Sequence, residues 1–146
     1  MHTPSSARGF TLIETLIAMA VAAVLSGIAL PSFDSQLRKA RRADALTAVA
    51  QIQGAQERLR SRSTRYGDLA EIGAAAVSSA GHYTLQITAF GTDGYVLRVA
   101  ATGAQARDAE CRFMEARAVG MNLVYASGAD AGVTNPDPIN RRCWSL

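Results

Sequence analysis

The stretch ARGFTLIETLIAMAVAAVLSGIALPSF, Ala7 to Phe33, sets the terms on which the whole chain has to fold. From Phe10 to Leu30 it is an apolar run of 21 residues in which Glu14 is the one charge. As a helix, a run of that length spans roughly 31 Å, close to the hydrocarbon core of a bilayer. It is expected to cross a membrane. A carboxylate at that depth costs at least ~2.5 to 3.5 kcal/mol, so Glu14 needs a partner, and no other residue of the run can neutralise it. A cut between Gly9 and Phe10 would create one, because the new α-amino group would lie four residues away, on the same chain or on a neighbour.

The polar leader MHTPSSAR does not read as a secretory signal, since no apolar core precedes Gly9 and no convincing small-x-small site follows the run. The run is therefore expected to be retained. Ser26-Gly27 and Pro31 weaken its second half, and a kink is expected near Pro31. Orientation is contested. A count of positive residues, Arg8 before against Arg38, Lys39, Arg41 and Arg42 after, would keep the C-terminal part inside.

The chain has 146 residues, 49% of them hydrophobic, a formal charge of +3 and no internal repeat. That supports one small domain appended to the apolar segment. The cations fall in blocks, Arg38 to Arg42 and then Arg58, Arg60, Arg62 and Arg65, which suit nucleic acid, anionic lipid or a solvated helix face. Cys111 and Cys143 sit in no CxxC and beside no histidine pair. Outside the cytoplasm they would form a disulfide, stabilising the fold by about 3.5 to 4 kcal/mol; inside it they would be two buried thiols.

Beyond Pro31, Ala45, Ala48, Val49, Ile52, Ala55 and Leu59 make one apolar stripe at helical spacing, with Arg42, Gln53, Glu57 and Arg60 elsewhere on the surface. The helix is expected to end near Ser61 and to lie across a sheet. Residues 63–82 read as a connecting loop, with one helical turn at Asp68 to Ala76. Tyr83 to Ala89 and Tyr95 to Ala100 alternate around Gly91-Thr92-Asp93-Gly94, which predicts a hairpin with Tyr83, Leu85, Ile87 and Ala89 on one face and Tyr95, Leu97 and Val99 likewise. A third strand is expected at Cys111 to Glu115, a fourth at Met121 to Tyr125, and a loop over 126–146.

The inventory for catalysis is poor. His82 is the one histidine beyond the leader, and no phosphate loop, Gly-x-Ser-x-Gly or metal cluster appears. Asp130, Asn135 and Asp137 are oxygen donors for Ca²⁺, but their spacing completes no loop. No enzyme, cofactor or metal site is expected.

Gly9-Phe10-Thr11-Leu12-Ile13-Glu14 at the head of an apolar helix resembles the processing site of type IV pilins, and YTLQI, YVLRVAATGAQARDAEC and the terminal CW resemble the PilE-type minor pilins. RFMEARAVGMNLVYAS after Cys111 departs from that pattern. The resemblance implies an α+β pilin fold: a long N-terminal α-helix on a three- to four-stranded antiparallel sheet with a disulfide-closed C-terminal loop, Cys143 bonded to Cys111 and Trp144 packed nearby. It divides the chain into a leader (1–9), a transmembrane and assembly helix (10–33), an amphipathic half (34–62), a loop (63–82), the sheet (83–125) and the closed loop (126–146). A prepilin peptidase would cut between Gly9 and Phe10 and methylate Phe10. Glu14 would pair with a neighbouring subunit's amine, and the helix would yield near Pro31 on assembly.

The expected function is that of a minor structural subunit of a type IV pilus. It would be held in the inner membrane of a Gram-negative bacterium, with its C-terminal domain in the periplasm, before joining or priming an extracellular fibre. Partners would be other pilins, the prepilin peptidase and the inner-membrane assembly machinery. The alternatives are a DNA-binding minor pilin, using Arg107, Arg112, Arg117, Arg141 and Arg142, and a type II secretion pseudopilin.

Overall fold

The computed structural model describes residues 9–146, with side chains omitted over 28–32. The predicted leader thus falls outside the described residues except for Gly9. Helix α1 runs Leu12–Ser63, followed by strands β1 (Tyr83–Phe90), β2 (Gly94–Ala101), β3 (Phe113–Val119) and β4 (Asn122–Gly128), and by helix α2 (Asp137–Trp144). The chain falls into two units, one ending at Gln36 and the other spanning Leu37–Leu146.

The start of α1 is chemically marked. Thr11 stands before the first helical residue, and the Glu14 N–H donates to Thr11 Oγ1 at 3.3 Å. The Thr11 N–H points back at Glu14 Oε2 at 3.5 Å, completing a Thr-x-x-Glu capping box. Thr15 and Ser26 return their hydroxyls to the carbonyls of Thr11 and Ala22. The described polar side chains of the apolar run thus bond to their own helix. Among the described residues no helix is long and apolar enough to cross a membrane. The described side chains of the run stop at Gly27, short of its end at Leu30. Pro31 lies within the span assigned to α1, and its side chain is outside the described residues.

In the second unit the predicted stripe is buried: Ala45, Ala48, Val49, Ile52 and Ala55 are all at most 9% exposed. They pack against Tyr83, Leu85, Tyr95, Leu97, Val99, Met114 and Ala116. Small residues at the helix surface let it lie close on the sheet. That sheet is antiparallel in the order β1-β2-β3-β4, with Leu85 opposite Val99, Val99 opposite Met114, and Met114 opposite Ser127. The register of β1 slips between Ile87 and Ala89, so Ala89 faces Val96 and Phe90 faces Tyr95. Ala89 therefore leaves the core face on which alternation placed it, because the bulge consumes one residue of the period. Gly94 is required where β2 starts, since a Cβ there would overlap the Ala118 carbonyl oxygen.

Other expectations need correction. The third strand starts at Phe113, not Cys111, and continues to Val119; Cys111 instead ends a 3₁₀ turn, Ala109–Cys111. The fourth runs three residues past Tyr125. The one helical turn expected within Asp68 to Ala76, by contrast, is present, with the Ile72 N–H on the Asp68 carbonyl four residues back. The tail is not all loop. Pro136 caps α2, with Asp137 in its first turn and Arg141 and Arg142 in its last. Proline at the front of a helix gives up no bond, and these charges complement the helix dipole.

Polar staples hold the pieces. Gln56, fully buried, clasps Gly67 through its amide nitrogen (2.7 Å) and its oxygen (3.0 Å). Asp44 accepts the Ser78 hydroxyl at 2.6 Å and the N–H groups of Ala80 and His82. Burial acts to raise its pKa, but those three donors win and hold it low. The Cys111–Cys143 disulfide is formed, with the Cα atoms 5.5 Å apart. Trp144 is buried against Tyr125, centroids 4.5 Å apart, and its indole N–H caps the Ala126 carbonyl. The sheet, helix and disulfide-closed C-terminal region together make the α+β architecture that the sequence led us to expect.

The strongest staple is Arg42, whose Nε and Nη2 grip Asp108 at 2.7 and 2.8 Å, the two side chains being only 14% and 7% exposed. Arg42→Ala in the Ser35–Leu146 fragment should lower stability by about 3 kcal/mol, because it strands a nearly buried carboxylate. Urea denaturation measures this, and adding Asp108→Ala should recover part of the loss. At the other end of the chain, Thr11→Val should cost the first turn of α1 about 1 kcal/mol. In a Phe10–Gly27 peptide in micelles this would appear as faster amide exchange over the first turn, with the later turns unchanged.

Candidate functional site

Two regions carry chemistry. The first is the start of α1. Gly9 and Phe10 lie outside the helix and are exposed, Phe10 at 85%. The peptide bond between them is therefore reachable, and the Glu14 carboxylate lies one helical turn further on, engaged by the capping box.

The second region is the end of the globular unit at which the chain enters it. Arg38, Arg41 and Arg42 precede Ala45 by seven, four and three residues, so they continue the buried stripe of α1 past the edge of the core. Arg42 joins three segments there. It holds Asp108, at the end of the 3₁₀ turn Gly103–Arg107, and its Nη1 donates to the Arg142 carbonyl of α2 at 3.3 Å. Its guanidinium is held still more firmly in the charged form, chiefly by the hydrogen bonds to Asp108. Buried Gln105 adds a second tie, donating to the Arg38 carbonyl (3.1 Å), the Tyr83 hydroxyl (2.9 Å) and Asp108 Oδ2 (3.2 Å). Burial pushes the Tyr83 phenol up to about 12, with the Gln105 bond pulling slightly the other way, so it stays neutral.

Four of the five predicted arginines gather here. Arg112 donates through Nε to the Ala106 carbonyl at 2.9 Å. Arg142 pairs with Glu110 at 3.2 Å on the surface. Arg107 directly precedes Asp108, and Arg141 directly precedes Arg142; both are exposed, and neither has an ion pair among the described residues. Arg117 does not join them. It lies on the outer face of the sheet, where it and Arg98 both grip Glu115, a carboxylate 5% exposed. Burial would raise the Glu115 pKa, but the hydrogen bonds from Arg117 and Arg98 bring it below the usual value.

The sequence reading had treated Arg38, Lys39 and Arg41 as a separate block. The helical spacing to Ala45 was the signal that places Arg38 and Arg41 on this end; Lys39, six residues before Ala45, lies beside that stripe and is exposed. Here Asp108 is neutralised by Arg42 and Glu110 by Arg142, and Arg38, Lys39 and Arg41 have no acidic partner among the described residues. The net field is positive, which suits a polyanion.

His82 is half-buried at the start of β1, tied in by its backbone: its N–H goes to Asp44, and its carbonyl accepts the Thr102 N–H. Asp130 accepts the Gly132 N–H, while Asn135 directs its amide nitrogen at Glu110 O and Ser127 Oγ. Among the described residues no group of three or more acidic, histidine or cysteine side chains could hold a metal ion.

Comparisons with known proteins agree with this geometry. The family described as "Prokaryotic N-terminal methylation motif" matches residues 4–30. The chain is also similar to a "Type IV major pilin protein PilA" of Myxococcus xanthus (strain DK1622), at 27% identity over 135 residues. That match covers 92% of this chain and 58% of the relative, so the chain spans less than two thirds of the relative's length. The family described as "Type IV minor pilin ComP, DNA uptake sequence receptor" matches residues 31–115, more than half of the chain, and the protein belongs to that family of type IV minor pilins.

Proposed function

We propose that this minor pilin is a structural subunit of a type IV pilus, stored in the inner membrane by its N-terminal helix until it joins or primes the fibre. The observation that carries the reading is the methylation-motif match over residues 4–30, set against a Gly9–Phe10 bond that is exposed and outside the helix. A prepilin peptidase cuts that bond and methylates Phe10. Before assembly, Glu14 is held at the end of its own helix; in the fibre it turns to the amine of a neighbouring subunit. The capping box supports this order, because a long 3.5 Å contact is readily exchanged for a charged partner. Gly27 and Pro31 mark where the helix yields on leaving lipid. The globular unit lies in the periplasm and then on the pilus surface. The assembly machinery and other pilins are its partners, and it catalyses no reaction.

A second reading adds DNA binding. It is favoured by the family's description as a DNA uptake sequence receptor and by the convergence of Arg107, Arg112, Arg141 and Arg142 with the α1 cations. Phosphates would be met by guanidinium forks, the acids among them, Asp108 and Glu110, being already paired.

Expression of the full chain with and without a prepilin peptidase should shift the N-terminal residue from Met1 to a methylated Phe10, read by mass spectrometry. A product starting elsewhere would remove the central step. Glu14→Ala should leave cutting intact yet deplete the subunit from sheared fibres; undiminished incorporation would reject the pairing role. For DNA, affinity of the Ser35–Leu146 fragment for duplex should fall steeply with salt. Arg107→Gln with Arg141→Gln should lower the slope of log affinity against log salt by about 2. No binding at low salt would end that reading.

A further inference from the structure

We propose that, before assembly, the basic end of the globular unit docks on the anionic phospholipid headgroups of the same membrane that holds the apolar segment. The inference rests on the membrane-stored state proposed above and asks what the cations do there. Arg38, Lys39, Arg41, Arg107 and Arg141 have no acidic partner among the described residues, while the nearby carboxylates Asp108 and Glu110 are both paired. Asp34, one turn before Arg38 in the sequence, is the further acid of this stretch, and it has no ion pair among the described residues. The ties from Arg42 and Gln105 hold the three contributing segments together, so the charges are pre-gathered rather than assembled on binding.

Tethering selects lipid as the occupant, because the apolar segment and the cations belong to one chain, with seven residues between Leu30 and Arg38. Long arginine and lysine stems can lie along apolar surface while keeping their heads among phosphates. Guanidinium forks match phosphate oxygens in pairs. The membrane is present at high effective concentration because the chain is anchored in it, whereas DNA must arrive from solution. The topology rule does not account for the block. Positive residues close to a membrane segment favour the cytoplasmic side, and in the orientation proposed above these lie on the other side.

Lys39 is the single lysine of the chain and exposed, which makes it a reporter. The full chain, incorporated into nanodiscs of phosphatidylcholine or of a phosphatidylcholine–phosphatidylglycerol mixture, is treated with a water-soluble amine-acylating reagent, and labelling of the Lys39 peptide is followed by mass spectrometry. Docking predicts labelling about threefold or more slower in the anionic discs, with the difference lost at high salt. Arg107→Gln with Arg141→Gln should restore most of the rate. Equal rates in both discs overturn the proposal while leaving the membrane-stored state intact. A slowing that the double variant does not relieve also overturns it, since Lys39 would then report the bilayer potential alone. Protection by duplex DNA in neutral discs, without protection by phosphatidylglycerol, would reassign the surface to nucleic acid. A chain that does not enter the discs would sink this inference and the storage reading together.

Discussion

Helix α1 has to be apolar all round over its first half and apolar on one stripe over its second, and every other element answers to that division. In the first half the described polar side chains, Thr11, Glu14, Thr15 and Ser26, bond to the helix's own backbone. In the second half the stripe from Ala45 to Ala55 is covered by a four-stranded sheet. Small side chains on the helix are matched by large ones on the strands, Tyr83, Leu97 and Met114, all of them buried.

Where the stripe runs out, charge replaces oil. Arg42 lies one turn before Ala45 and reaches Asp108 and α2 instead of a strand. The same clamp that ends the core thus draws the remaining cations onto one end of the unit. Stability and the gathering of positive charge are two results of one ion pair. The disulfide does the corresponding work for the tail: it ties α2 to the turn before β3, where Asn135 satisfies the Glu110 carbonyl, while Asn140 and Trp144 satisfy the Tyr125 and Ala126 carbonyls of β4.

Much of this was legible beforehand. The stripe of α1 and the faces of Tyr95, Leu97 and Val99 follow from periods of 3.6 and 2, which backbone geometry imposes locally. Ala89 was misplaced because a bulge changes the period without changing composition. The start of β3 was set two residues early because Cys111 is apolar and buried like a strand residue, although a 3₁₀ turn holds it. Helix α2 was missed because Pro136 and Pro138 read as breakers, when proline in a first turn is a start signal.

The sequence by itself determined the membrane-length apolar run, the Gly9–Phe10 motif with Glu14, the amphipathic helix and the cysteine pair, since each depends on residues close together in the chain. Tertiary structure alone decided which charges meet. Arg38 and Arg107, or Arg42 and Arg142, are separated by many tens of residues, and no local period relates them. The turn of the Glu14 carboxylate back onto Thr11 is of the other kind, since it joins residues three apart at the start of one helix. Coulomb and hydrogen-bond energies depend on distance in space, and chain order fixes that distance only within an element.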